Sequence, residues 1–514
     1  MKAVALVQSA CAGLLGLYLG SRALAGDALP ATPNLHLPAS DHQWNAVKAY
    51  VESDPVPGYR HASDAAFEAF RDMKFGVRIH WGIYSTIGKP GESWPFLNLS
   101  YEKKQAYEAI YKTWNPAGFD AEEWMRLFDE SGCKMFAFTA KHHEGFSMYD
   151  THTRVRQRVN WTAPGGPVLE DCDLAYSIME TPFHRDVVKE LCDAAHRHAI
   201  KIDLYFSNSD WYDADFRPYG YSPITMPTAL ANSELFGSAN VAKRGPTKYA
   251  IVPDRTPEQT ARMMARYRAQ LTELLSNYGK IDMLCLDMWL GRDIWPQTRD
   301  AILAIRKIQP DVMLRARGIG NYGDYYTPEG FVPGGKENTD LPWFVIYPLA
   351  KSFSYDADAA DYKGGEWIVK TLVDTVAKGG NFMVGIGPDG NGRFSPTAID
   401  DLHEAGAWLK TNGQGIYATR AREGELWKEG KDLRFTRSKD NQTVYAFSLK
   451  WPGPALTIKS VTPKQGSSII LLGNSTPLRW TYDATTGTTI QLPTEMSDEA
   501  RRPCKFVYAF RIEQ

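Results

Sequence analysis

The sequence is short of cysteine, and the cysteines it has are scattered. Six occur in 514 residues, none in C-x-x-C spacing. Cys11 lies in an apolar N-terminal segment, and the other five are an odd number, so at least one stays a thiol. Neither a disulfide framework nor a zinc site can be read from them. Charge of one sign is lacking as well: 58 Lys and Arg stand against 60 Asp and Glu, with no long run of either. Nothing here marks an electrostatic footprint for nucleic acid. No glycine-rich phosphate turn follows an early strand, which argues against an open doubly wound sheet around a dinucleotide. Beyond the first two dozen residues, no stretch is long and apolar enough to span a bilayer.

What is present begins at the N-terminus. Lys2 precedes an apolar run from Ala3 to Leu19, and Ala23-Leu24-Ala25 offers a small-residue cleavage site. That layout predicts a signal peptide over residues 1–25, with the mature chain starting near Gly26 in a secreted or periplasmic protein. The remainder has globular composition. Its 15 Trp and 26 Tyr would serve either a large core or stacking on sugar faces.

From residue 75 the pattern alternates between strand and helix. F-G-V-R-I-H-W-G (75–82) is an apolar strand ending in His80, and a loop from Gly88 to Leu99 holds Glu92 and Trp94. An amphipathic helix follows over 120–131, with Asp120 as N-cap and Gly132 as stop. M-F-A-F-T-A-K-H-H-E-G-F (135–146) is the next strand, breaking into His142, His143 and Glu144. Helices over 184–199, 256–278, 299–308 and 364–377 alternate with strands over 200–206, 281–286, 312–315 and 381–386. Residues 213–254 read as a long, proline-punctuated loop. Repeated β-then-α units of this kind predict an α/β fold, a (β/α)8-like barrel over residues 26–415. From residue 420 onward, short β-rich runs at 443–448, 455–460, 468–472, 488–492 and 506–512 predict a C-terminal antiparallel β-sandwich over 420–514.

His80, the His142–His143 pair and Asp287 all end apolar strands, and a barrel would bring them to one face. A carboxylate at such a position is costly to bury without compensation, which makes Asp287 a candidate catalytic group, its alternative being a helix N-cap. The histidines and Asp287 could be read as a metal site. Adjacent residues of a strand point to opposite faces, however, so no metal is expected.

These pieces resemble the exo-acting α-L-fucosidases, a retaining glycoside hydrolase family with a barrel and a C-terminal β-sandwich. The resemblance rests on F-G-V-R-I-H-W-G, K-H-H-E-G-F, Y-F-S-N-S-D-W, Y-G-K-I-D-M-L-C-L-D and K-G-G-N-F-M-V-G-I-G-P-D-G-N-G. In the tail, T-V-Y-A-F-S-L-K-W-P and L-L-G-N-S-T-P-L-R-W carry it further. It implies that Asp287 is the nucleophile, and that His80, His142 and His143 hold fucose hydroxyls. It also implies that Trp94, Tyr205 and Arg317 contact the sugar. A second carboxyl, about 5–5.5 Å from the first in retaining enzymes, departs from the family pattern. Where many members have Trp-Glu, this chain has Trp343-Phe344. Glu337 is the expected acid/base, with Asp340, Glu329 and Glu92 as alternatives. No cofactor, nucleic acid or membrane partner is expected, and the substrate is a fucosylated oligosaccharide or glycoconjugate. Phe344 motivates a different reading, a non-hydrolytic fucose-binding protein, and a metal-dependent hydrolase is a third.

Overall fold

A computed structural model describes residues 34–224, 253–328, 331–333 and 339–514. Residues 1–33, including the segment expected to be a signal peptide, lie outside the described residues, as do Glu329, Glu337 and most of the 213–254 loop. Among the described residues no helix is long and apolar enough to cross a membrane.

The chain builds strands β1 (Phe75–Ile79), β2 (Met135–Lys141), β3 (Val155–Asn160), β4 (Val168–Leu174), β5 (Lys201–Ser207), β6 (Met283–Asp287), β7 (Met313–Leu314), β8 (Phe344–Pro348) and β9 (Asn381–Ile386). Seven of them pair in parallel in the order β7-β6-β5-β2-β1-β9-β8. The gap between β7 and β8 is filled by Tyr325 and Tyr326, whose parallel bridges reach Arg315 on one side and Trp343 on the other. With that two-residue element the sheet closes on itself as an eight-stranded barrel. Its strands are apolar without alternation because both faces are covered: β2, β6 and β9 are buried at every residue.

Helices wrap the outside: Asp64–Met73, Ala121–Glu130, Val187–Arg197, Pro257–Ser276, Trp295–Ile308, Gly364–Ala377 and Pro396–Asn412. The Ala121 helix starts as its sequence predicts, with the Asp120 carboxylate accepting from Glu122 N at 2.9 Å and Glu123 N at 3.0 Å. Gly132 closes it at φ +80°. The Pro257 helix opens with a full capping box between Thr256 and Gln259.

Beyond the barrel, a six-stranded antiparallel sheet runs through Leu433–Arg437, Thr443–Ser448 and Tyr508–Glu513, and a three-stranded sheet joins Ala455–Ile458, Gly487–Gln491 and Trp480–Asp483. Phe435, Val444, Ile458, Ile490 and Phe510 form an apolar core of their own here.

Some elements differ from the sequence reading. The hairpin β3–β4 has no apolar period. Its strands are matched instead by ion pairs, Arg158–Glu170 at 2.7 Å and Arg156–Asp173 at 2.7 Å. The helix expected from residue 299 starts at Trp295, since Pro296 fits a first turn where no backbone N–H is needed.

At the carboxyl end of the barrel the loops after β2 and β5 are tied by one buried carboxylate. Asp210 accepts from Arg266 Nη1 at 2.7 Å and Lys141 Nζ at 3.5 Å through Oδ2, and from the backbone of Tyr212 and Asp213 through Oδ1. Trp211 N then donates to the carbonyl of His143 at 2.8 Å. Gly145, at φ +89°, lets this happen: a Cβ there would lie 2.1 Å from Asp210 Oδ1. Gly145→Ala is therefore expected to destabilise the protein by about 2–4 kcal/mol. Thermal melting of the variant against the parent checks this, and an unchanged midpoint would contradict the fit.

Candidate active site

The barrel's carboxyl end opens on a cavity of about 620 Å³. His80, Trp94, His142, His143, Tyr205, Asp287 and Arg317, all singled out from the sequence, line it together with Glu92. Strand ends deliver them: β1 runs into His80, β2 into the histidine pair, β5 carries Tyr205, and β6 ends on Asp287.

The two adjacent histidines do not diverge as strand neighbours would. The β2–β5 register shifts between Thr139 and Lys141, and the strand stops at Lys141. Freed from the pleat, both rings line the one cavity with centroids 4.2 Å apart. His142 Nδ1 is hydrogen-bonded to Ser93 Oγ, and His143 Nδ1 to Ser207 Oγ at 2.8 Å. His80 has a buried Nδ1 without a partner among the described residues. Burial disfavours the imidazolium at all three: His142 is pushed down to about 3, and His80 and His143 go well below the ordinary range. They are neutral rings. Nδ1 of His142 and His143 is committed to serines, which leaves Nε2 of each as the nitrogen able to meet a further polar group. Tyr205 stacks on His142 at 5.4 Å, and Trp94 meets His143 edge-on at 4.9 Å.

Asp287 is only 8% exposed. Burial would raise its pKa. The guanidiniums of Arg317 and Arg315 and a hydrogen bond from Tyr205 outweigh that, and hold the carboxyl well below the usual carboxylate range. Arg317 Nη1 donates to Oδ1 at 2.6 Å, Arg315 Nη1 to the same oxygen at 3.4 Å, and Tyr205 Oη to Oδ2 at 2.6 Å. His143 Nε2 stands 3.9 Å from Oδ2. Arg317 thus engages Asp287 itself, in addition to lining the cavity.

A second layer lies beneath. Cys285, two residues back along β6, accepts from Arg315 at 3.3 Å and from Arg78 at 3.5 Å. Arg78 lies 4.0 Å from Asp203, and Arg315 Nε donates to Thr327 at 2.8 Å. The sequence reading passed over Arg78 and Arg315. A charged residue inside the apolar run F-G-V-R-I was the available signal. The five cysteines among the described residues are all free.

Three other carboxyls differ sharply. Glu92, its Oε1 accepting from Ser354 N at 3.0 Å, is pushed up to about 7 by burial. Glu144 is raised to about 8 by burial and lies beside His142, 3.6 Å from Nδ1, without lining the cavity. Asp340 is turned to the N-terminal segment, where Oδ2 accepts from Asn34 N at 2.7 Å. Phe344 is fully buried between Phe70 and Tyr325, with centroids at 6.1 and 5.1 Å. Ile346, two residues further along β8, lines the cavity instead.

A cavity at the carboxyl mouth of such a barrel, with a clamped carboxylate among neutral imidazoles and aromatic rings, fits the site of a glycoside hydrolase. Comparison with known proteins narrows the class. The alpha-L-fucosidase family model matches residues 58–414, and the model of the alpha-L-fucosidase C-terminal domain matches residues 428–513. The chain belongs to the alpha-L-fucosidase family. It is 27% identical over 460 residues to the plasma alpha-L-fucosidase of Rattus norvegicus, covering 86% of this chain and 90% of that one. Alpha-L-fucosidase isoenzyme 1 from Paenibacillus thiaminolyticus shares the fold at a TM-score of 0.69 and 24% identity, covering 87% of this chain and 98% of that chain. A Bacteroides thetaiotaomicron alpha-L-fucosidase, solved as a covalent intermediate trapped with 2-fluoro-fucosyl fluoride, has a TM-score of 0.67 at 20% identity, covering 90% and 98%.

Arg317 is the nearer of the two cations on Asp287, and its removal leaves burial less opposed. Arg317→Met is expected to raise the Asp287 pKa. The acid limb of the pH profile for aryl α-L-fucoside hydrolysis then moves to higher pH. An acid limb that stays in place would mean that Arg315 suffices alone.

Proposed function

We propose that the protein is a secreted exo-acting α-L-fucosidase that releases terminal fucose from oligosaccharides or glycoconjugates with retention of configuration. The observation that carries the reading is the Asp287 carboxylate, kept ionised on the cavity wall by Arg317, Arg315 and Tyr205. His80, His142, His143, Trp94, Tyr205 and Arg317 form a cup for the fucose ring around it, and residues 26–415 act as the catalytic unit. Asp287 attacks the anomeric carbon, the glycosidic oxygen leaves with a proton from a carboxylic acid, and a fucosyl-enzyme ester results. The same second carboxyl then takes a proton from water, which attacks the anomeric carbon, breaks its bond to the Asp287 oxygen and restores the carboxylate. The lowered Asp287 pKa suits both steps: the ionised carboxylate is favoured for attack, and it is a good leaving group in the second. Export is supported by the N-terminal signal layout and by the plasma origin in the name of the rat relative.

Glu337 is our assignment for the acid/base. A second reading, Glu92, is favoured by one observation: its carboxyl lines the cavity and, at about 7, keeps its proton near neutrality. Two carboxyls whose environments push their pKa values apart are the usual mark of an acid and a nucleophile. Phe344 offers no support for a non-hydrolytic role, because it packs in the core.

Three variants test the assignments. Asp287→Gly should abolish aryl-fucoside hydrolysis, and added azide should restore turnover as the inverted β-fucosyl azide, since a single displacement remains. Without that product Asp287 is not the nucleophile. Glu337→Gln should lose about 10²–10⁴-fold on natural glycans and give retained α-fucosyl azide. The same product from Glu92→Gln instead transfers the role to Glu92.

A further inference from the structure

The rim of the cavity includes a segment that the family match does not reach. The matched region begins at residue 58, yet His42, Gln43, Asn45 and Ala46 line the cavity. They belong to a short helix, His42–Val47, whose N-cap Asp41 accepts from Gln43 N and Trp44 N at 2.8 and 2.9 Å.

This segment is fixed to the loops that follow β6 and β7. Tyr50 Oη donates to the carbonyl of Leu290 at 2.8 Å, and Arg292 Nη2 to that of Ala49 at 3.2 Å. Asn321 Nδ2 donates to Ser53 O at 2.6 Å, while its Oδ1 accepts from Leu37 N at 2.9 Å. The contact is close enough that a Cβ on Gly320 would come within 2.6 Å of the Trp44 ring. The rim is therefore a built wall.

Gln43 stands out on that wall. It is 5% exposed, and its Nε2 is buried without a hydrogen-bond partner among the described residues. Its neighbour Asn45 has already spent Nδ2 on the carbonyls of Ala39 and Asp41, at 3.3 and 3.1 Å. A buried amide donor left unmade is costly and uncommon, and on a residue that lines a cavity it points to a ligand acceptor reached by a small turn of the side chain.

The remaining step rests on the fucosidase reading. The histidines and Asp287 at the strand ends take the terminal sugar, so everything attached to it leaves through the mouth. At about 620 Å³ the cavity is roomier than a single sugar ring requires. We infer that Gln43 is a specificity-determining residue, donating through Nε2 to a hydroxyl of the sugar that carries the fucose. The occupant is a hydroxylated ring rather than an apolar aglycone, because this wall offers an amide and the imidazole of His42, with the half-buried indole of Trp289 as a flat apolar surface nearby.

The test compares kcat/KM for a fucosylated oligosaccharide with that for α-L-fucosyl fluoride, whose leaving group has no sugar to recognise. In Gln43→Met, which keeps the shape and removes the donor, the glycan-to-fluoride ratio should fall about 3- to 10-fold. The inhibition constant of the defucosylated glycan against fluoride hydrolysis should rise by a similar factor. If Gln43→Met fails to fold, Gln43→Leu removes the same donor and reads the same ratio. A ratio that stays at the parent value overturns the assignment. A parent enzyme inert towards fucosyl fluoride overturns the fucosidase reading itself, and the subsite with it.

Discussion

Keeping the Asp287 carboxylate ionised while it is buried is the constraint on which the site is built. An isolated carboxylate in such a place would take up a proton, because desolvation favours the neutral form. Arg317 and Tyr205 hold one oxygen each at 2.6 Å, and Arg315 adds its charge from 3.4 Å. Two guanidiniums beside one carboxylate create a debt of their own. It is met a layer lower, where Cys285 accepts from both Arg78 and Arg315 and Asp203 approaches Arg78. The barrel makes this stacking possible. Residues two apart on β6, Cys285 and Asp287, point to the same side, so one strand serves both layers.

The histidines face the opposite requirement. Asp287 already has two guanidiniums beside it, and burial keeps all three imidazoles from adding further charge. Neutral imidazole is both donor and acceptor, and a hydroxyl is the same, so ring and sugar can exchange roles without net charge. The serines at Nδ1 fix two of the ring orientations. These serines come from different places, Ser93 from the loop after β1 and Ser207 from the end of β5, so the cup depends on barrel closure rather than on one local motif.

Much of this was legible in the sequence. An apolar run that ends in His80, or in Asp287, announces a buried strand with polar cargo, and the barrel rule carries that cargo to one mouth. The helix caps at Asp120 and Thr256 were equally readable, since capping is local chemistry. What escaped was non-local or too short. Tyr325–Tyr326 closes the barrel with two residues, below the length at which any period exists. The strand-alternation argument about His142 and His143 failed because the strand ends one residue before them, which only the β2–β5 register reveals. The family's Trp-Glu pattern drew attention to Phe344 as a lost catalytic group. In the barrel that position belongs to a packed layer with Phe70 and Tyr325, and the wall of the cavity begins two residues later.

Gln43 illustrates why some determinants cannot be found by motif at all. Nothing in D-H-Q-W-N-A marks a binding residue, and the segment lies upstream of the family match. Its placement comes from contacts spanning some 240 to 280 positions in sequence, to Leu290 and Asn321. Those contacts fall on the loops that follow Asp287 and Arg317. The groups that hold the carboxylate and the wall that meets the rest of the substrate therefore share one scaffold. A shift of the wall would also disturb the loops behind the clamp.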